Sequence, residues 1–188
     1  MTGRDGDVRW VRQVHGAVAH PAAAAAAVPP PDGDALVSAD RSDRLAVVTA
    51  DCAPIALGSP EGVFAAVHAG WRGLVAGVVD SAVDAMRRLG ATSVTGALGP
   101  TIHAGCYEFS PGDLDRVAAR LGGAVRGWTT DGRPALDLPA AVGAALERAG
   151  VAPVPGVDRC TACSGRDFSH RARGDTGRQA VLVWSAGG

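Results

Sequence analysis

His15, Cys52 and His68 are the side chains of this sequence best suited to hold a metal ion and do chemistry with it. A thiolate and two neutral imidazoles make a typical zinc set, and three protein ligands leave a fourth position open. Zinc held in that way is a Lewis acid and brings hydroxide chemistry within reach near neutral pH. Spacing alone does not define such a site. His15 and Cys52 lie 37 positions apart, Cys52 and His68 lie 16 apart, and no local motif such as H-E-x-x-H is present. A His or Cys at a strand end can also be a capped or packed residue. Asp51 directly precedes Cys52, and with Glu108 it is the carboxylate best placed by sequence to assist proton transfer.

Two further clusters carry charge beside glycine. In His68-Ala-Gly-Trp-Arg-Gly73 the glycines allow tight turns and close approach of a ligand, and Arg72 adds a fixed positive charge. A helix N-terminus following that turn offers free N–H groups to an anion, although an ordinary strand-to-helix turn reads the same way. Near the C-terminus Arg171, Arg173 and Arg178 fall within eight residues bracketed by glycines, as an anion pocket or as a solvated loop. All 18 basic residues are arginine, which excludes a Schiff-base or P-loop lysine and leaves anion recognition to guanidinium groups. Cys160 and Cys163 form a lone C-x-x-C, half a zinc site with no second pair to complete it.

The elements that must position these residues are interspersed strands and helices. Asp34–Ser38, Arg44–Ala50, Gly62–His68, Val94–Leu98 and Ala180–Trp184 read as strands, several of them buried β-branched runs. Trp10–Val14 is a further short strand-like run leading to His15, and Pro54 breaks the ladder of any strand adjoining Cys52. Leu74, Val78, Ala82 and Met86 repeat every four residues, predicting one helix over Leu74–Leu89 that stops at Gly90. Helices are also predicted from Pro111 to Leu121 and from Leu138 to Ala149, and Ala22–Ala27 with the following prolines reads as a surface loop. Periodicity does not separate α/β from α+β. The length of 188 residues suits a single domain.

Composition removes some classes of function. A net charge of −1 gives no field to draw in nucleic acid, and no apolar run approaches the ~20 residues of a membrane span. The first residues lack the apolar stretch of a secretory signal, which points to the cytoplasm. Only five histidines are present, too few for the several coppers of a true laccase. The residues leave open a Cys52 nucleophile with His68 as base, hydrolysing an amide, and a scaffold without catalysis.

Gln13-Val-His15-Gly16, Thr49-Ala-Asp-Cys52-Ala-Pro54, Ala66-Val-His68-Ala-Gly-Trp-Arg-Gly73, Leu98-Gly-Pro100 with Cys106-Tyr-Glu108, and Phe168-Ser-His-Arg171 with Thr176-Gly-Arg-Gln179 occur in that order. Together they resemble the YfiH family, also called the laccase-domain or polyphenol oxidase family, from about Trp10 to Trp184. The resemblance implies an α+β fold, a central β-sandwich of mixed sheets flanked by helices, akin to a toxin deamidase domain. It implies metal ligation by His15, Cys52 and His68, with zinc expected over copper. It also implies a purine nucleoside enzyme that phosphorolyses adenosine, inosine, guanosine or methylthioadenosine and deaminates adenosine; some bacterial relatives are linked to peptidoglycan editing. In deamination a carboxylate such as Asp51 would move protons; in phosphorolysis Arg72, Arg171 or Arg178 would hold the phosphate. Relatives carry some tens of residues before the Gln-Val-His-Gly motif, including a T-R-x-G-G segment and an N-R pair. Here twelve residues precede Gln13, so for the one domain expected over residues 1–188 either the start codon is misassigned or the chain is a shortened member with a more open site.

Overall fold

The computed structural model describes residues 8–185. Residues 1–7, on which the reading of the export signal partly rests, lie outside the described residues. In chain order the elements are β1 (Val8–Arg9), β2 (Ala19–Pro21), β3 (Ala35–Ser38), β4 (Arg44–Thr49), β5 (Ala53–Gly58), β6 (Phe64–Ala69), α1 (Trp71–Ala76), α2 (Val78–Arg88) and β7 (Val94–Leu98). They continue with α3 (Pro111–Leu121), β8 (Arg126–Trp128), β9 (Pro134–Leu136), α4 (Leu138–Arg148), β10 (Val151–Pro153), α5 (His170–Arg173) and β11 (Gln179–Val183).

Six strands form a mixed sheet in the order β10-β7-β5-β6-β3-β2, and β1-β4-β11 form a second sheet. Strand β6 shows why its sequence reads as unbroken apolar text. Ala65, Val67 and Ala69 enter the larger core beneath α2 and α4, whereas Phe64 and Ala66 enter a smaller core shared with Leu45 and Val47 of β4. A strand buried on both faces has no polar side to alternate with. The three-stranded sheet covers one face of the larger sheet and the helices cover the other, which is the mixed-sheet sandwich flanked by helices. Among the described residues no helix is long and apolar enough to cross a membrane.

Several local expectations need correction. The predicted helix over Leu74–Leu89 is two helices: α1 starts earlier, at Trp71, and Gly77 at φ 90° separates it from α2. The four-residue repeat runs across the break because both pieces turn the same face to the core, so periodicity hid it. Trp10–Val14 is not a strand; β1 ends at Arg9, and Arg12 makes only an isolated bridge to Asp32. Ala22–Ala26 forms a 3₁₀ turn rather than an irregular loop. Pro54, by contrast, behaves as expected: it sits inside β5, paired with His68, and the β7 ladder has ended beside it, where its carbonyl accepts Gly99 N–H at 2.9 Å.

Candidate metal centre

Alternation along β6 puts His68 on the side of Phe64 and Ala66, at the open end of the smaller core. One step beyond the β3–β6 register the partner of His68 is Asp34, whose carbonyl accepts the His68 N–H at 2.7 Å. Cys52 lies in the connection between β4 and β5, opposite Gly70. His15 arrives by a different device. The Gln13 amide donates to the Val48 carbonyl and accepts the Val48 N–H, both at 2.8 Å, which docks this segment on β4 like a strand. His15 then turns at φ 58°, and the backbone N–H groups of His15 and Gly16 donate to the Asp34 carboxylate at 2.9 and 2.7 Å. His15 and Asp51 are the two non-glycine residues at positive φ among the described residues, and both border the site.

The three predicted ligands converge. Their donor atoms lie within 4.8 Å of one another, and Cys52 Sγ is 3.8 Å from His15 Nε2. Tetrahedral zinc with ordinary Zn–S and Zn–N bonds places such a pair about 3.6 Å apart, so little movement is needed. The Asp34 carboxylate is 2.8 Å from His68 Nδ1, which leaves Nε2 for the metal. Gly70 supplies the space: a Cβ there would sit 3.0 Å from the His15 ring and 3.1 Å from Cys52 Sγ. At Gly73 a Cβ would be 2.9 Å from the Gly16 carbonyl, so that glycine lets α1 pack on the turn that carries His15. The donor set therefore fits a divalent metal. Because Gly70 has φ −74°, open to any residue, Gly70→Ala acts by bulk alone. We expect it to weaken zinc binding about tenfold without loss of fold, measured by competition with a chromophoric chelator.

Electrostatics without a metal follow from burial and neighbours. Burial works against the Cys52 thiolate, but hydrogen bonds from His15 and His68 and their charge outweigh it and bring the thiol down to about 7. Burial works against a charged His68, and the Asp34 hydrogen bond with the nearby Cys52 pushes the imidazole up to about 9. Between these values the pair is a thiolate facing an imidazolium. A metal must displace the His68 proton, so affinity rises with pH, about tenfold per unit between 7 and 9. Below 7 the rise is steeper, because Cys52 must lose a proton too. Calorimetry in buffers of differing ionisation heat should show about one proton released from this pair at pH 8 and about two at pH 6. A pH-independent affinity contradicts this.

The site opens into a cleft of about 540 Å³, within the usual range for a small-molecule pocket. Besides the three ligands its wall includes Asp51, Tyr107, His170, Arg171 and Arg178. Arg171 stacks over the Tyr107 ring at 4.9 Å and donates to the Glu108 carbonyl at 2.9 Å. Arg178 is held by the Asp175 and Gly177 carbonyls at 3.0 and 2.7 Å. Burial first, and then the nearby Cys52, push the Tyr107 phenol up to about 12, so it stays a neutral hydroxyl. Asp51 is buried, and both carboxylate oxygens are engaged, with the Thr161 hydroxyl at 2.7 Å and the Arg171 N–H at 2.6 Å.

Three residues do not join the site as the sequence reading arranged them. Arg72 stands outside the cleft wall, its guanidinium over the Trp71 ring at 4.5 Å. Glu108 also lies outside it and pairs with Arg133. Arg173 turns back onto the Ala162 and Asp167 carbonyls. Sequence reasoning missed Asp34, read only as the start of a strand, although a carboxylate leading directly into a buried strand needs partners. It also gave no role to Gln13 or Tyr107.

Comparison with known proteins identifies the family. The family described as multi-copper polyphenol oxidoreductase laccase matches residues 1–186. A purine nucleoside phosphorylase of Streptomyces coelicolor is 45% identical over 181 residues, covering 94% of this chain and 74% of the relative. A Neisseria meningitidis protein of known structure superposes with a TM-score of 0.84 at 34% identity, over 96% of this chain and 75% of that one. The YfiH protein of Bacillus licheniformis superposes with the same score at 25% identity and the same coverage. The chain belongs to the multi-copper polyphenol oxidoreductase laccase family, the family of YfiH.

Proposed function

We propose that this protein is a zinc-dependent purine nucleoside enzyme that phosphorolyses adenosine, inosine, guanosine or methylthioadenosine and deaminates adenosine. The observation that carries the reading is a cluster of two imidazoles and one thiol lining a cleft that also has arginines on its wall. The 45% identical Streptomyces coelicolor relative is named a purine nucleoside phosphorylase, which supports the substrate class. His15, Cys52 and His68 would hold zinc, which when bound supplies Lewis-acid chemistry beside the substrate.

The chain's own groups do the rest. Arg178, and Arg171 braced on Tyr107, hold the phosphate by charge-assisted hydrogen bonds as it approaches the ribose C1′. The Tyr107 ring and the apolar side chains of Val11 and Val48 offer a surface to the base. Asp51 orients Arg171 through its backbone N–H, and in deamination it is the carboxylate within the cleft wall that can pass protons. The test is turnover of adenosine and inosine with and without phosphate, with free base, ribose 1-phosphate and inosine separated by chromatography. Arg178→Met should raise the KM for phosphate about 10- to 100-fold and leave deamination nearly unchanged, the effect of losing a hydrogen bond to a charged group. Equal losses in both reactions, or no turnover of any purine nucleoside by zinc-loaded protein, overturn the reading.

A second reading has its own observation. Asp34, His68 and Cys52 also line up as the carboxylate, base and nucleophile of an amide hydrolase. His15 at 3.8 Å from the same sulfur has no task in that scheme and an obvious one as a ligand. Activity of metal-free protein on amides would favour the hydrolase.

A further inference from the structure

The lone C-x-x-C is not alone in space. Cys106, 54 positions before Cys160, brings its sulfur to 3.0 Å from that of Cys163, and all three sulfurs lie within 4.8 Å of one another. A parallel bridge between Thr101 and Cys160 holds the two segments together, with Thr101 N–H on the Arg159 carbonyl and Thr161 N–H on the Thr101 carbonyl. The C-x-x-C turn closes through Ser164 N–H to the Cys160 carbonyl at 2.9 Å, and the His103 N–H donates to Cys160 Sγ at 3.4 Å. A sulfur that accepts a backbone N–H inside a closed turn is arranged as a thiolate ligand. None of these residues lines the cleft around His15, Cys52 and His68.

We propose that Cys106, Cys160 and Cys163 form a second metal site that takes zinc or a similarly soft divalent cation. Neighbouring thiolates on tetrahedral zinc sit about 3.8 Å apart, inside the span these sulfurs already cover. A disulfide would join two of the three and leave the third without a partner. The fourth position belongs to His103 or to water. His103 shares a surface depression with Cys160 and Cys163, and its Nε2 lies 3.6 Å from the Asp158 carboxylate, beyond hydrogen-bond reach. The metal acts as a clip. It ties the segment leading into Tyr107 to the one carrying Thr161, whose hydroxyl holds Asp51. Sequence spacing gave half a site because the missing ligand comes from another segment through a bridge that only the fold creates.

The test is zinc content of the intact chain purified anaerobically, by elemental analysis, with Cys163→Ser as the first variant because Cys163 is solvent-exposed. Two zinc ions per chain should fall to one in Cys163→Ser and to one in Cys52→Ala, and to none when both are changed. The melting temperature should drop by roughly 5–10 °C in Cys163→Ser. In cobalt-loaded protein the near-ultraviolet thiolate band should lose most of its intensity in Cys163→Ser or Cys160→Ser and persist in Cys52→Ala. A single zinc lost only in Cys163→Ser keeps this site while removing the His15–Cys52–His68 one. A single zinc that survives in both Cys163→Ser and Cys160→Ser overturns the proposal. So does a Cys106–Cys163 disulfide found by peptide mapping of the anaerobic protein.

Discussion

Replacing His68 by alanine should leave the His15–Cys52–His68 centre without zinc under conditions where the parent protein is loaded, and should lower turnover about 10³-fold or more. The size follows from what a metal supplies: several kcal/mol of charge stabilisation in the transition state, with each 1.4 kcal/mol about a factor of ten. His68 is the most buried of the three candidate ligands, at 3% exposure, and its place is set by β6 pairing with β3 on one side and β5 on the other. It cannot be replaced by a small shift of its neighbours. Cys52→Ala should give the same loss and, being half-buried in a connection, should disturb folding less. Zinc content and kcat measured on the same preparations check the result.

Asp34→Asn should be the most damaging change outside His15, Cys52 and His68, although Asp34 touches neither metal nor substrate. Its carboxylate takes the His68 Nδ1–H and the backbone N–H groups of His15 and Gly16, and it is completely buried. Burial alone would raise its pKa. The His68 and backbone hydrogen bonds outweigh that and hold the carboxyl below the usual carboxylate value. The stability it contributes is therefore present above about pH 4 and is lost as pH falls through the lowered value. Asparagine turns an NH₂ toward donors that need an acceptor. The expected outcome is zinc affinity lower by about 10- to 100-fold and folding stability lower by about 2–4 kcal/mol. Chelator competition and urea unfolding read the two effects separately. If the affinity is unchanged in a folded Asp34→Asn, Asp34 is not orienting His68.

How much of this was legible in the residues differs from group to group. The three candidate ligands stood out because their residue types are few and each follows a strand-like run, but only the ordered motifs shared with the YfiH family joined them into one set; the buried strands could be read because β-branched text leaves little else for them to be. What could not be read depends on register. Asp34 meets His68 only through the antiparallel pairing of β3 with β6, and Cys106 meets Cys163 only through the Thr101–Cys160 bridge. Gly77 hid because the apolar stripe continues through the break between α1 and α2. The β8–β9 hairpin, three residues a strand, is too short to show a period. The glycines of His68-Ala-Gly-Trp-Arg-Gly73 read as freedom for a tight turn. Their work is narrower: Gly70 makes room for the side chains of His15 and Cys52, and Gly73 makes room for the Gly16 carbonyl.

The most direct test of the central claim joins metal content to activity in one sample. The protein should be stripped with a strong chelator, assayed on adenosine and inosine with phosphate, and then reloaded with one metal at a time. Stripping should abolish turnover, zinc should restore it fully, and Cys52→Ala reloaded in the same way should not recover. Undiminished nucleoside turnover by the stripped protein, or by Cys52→Ala, would contradict the claim.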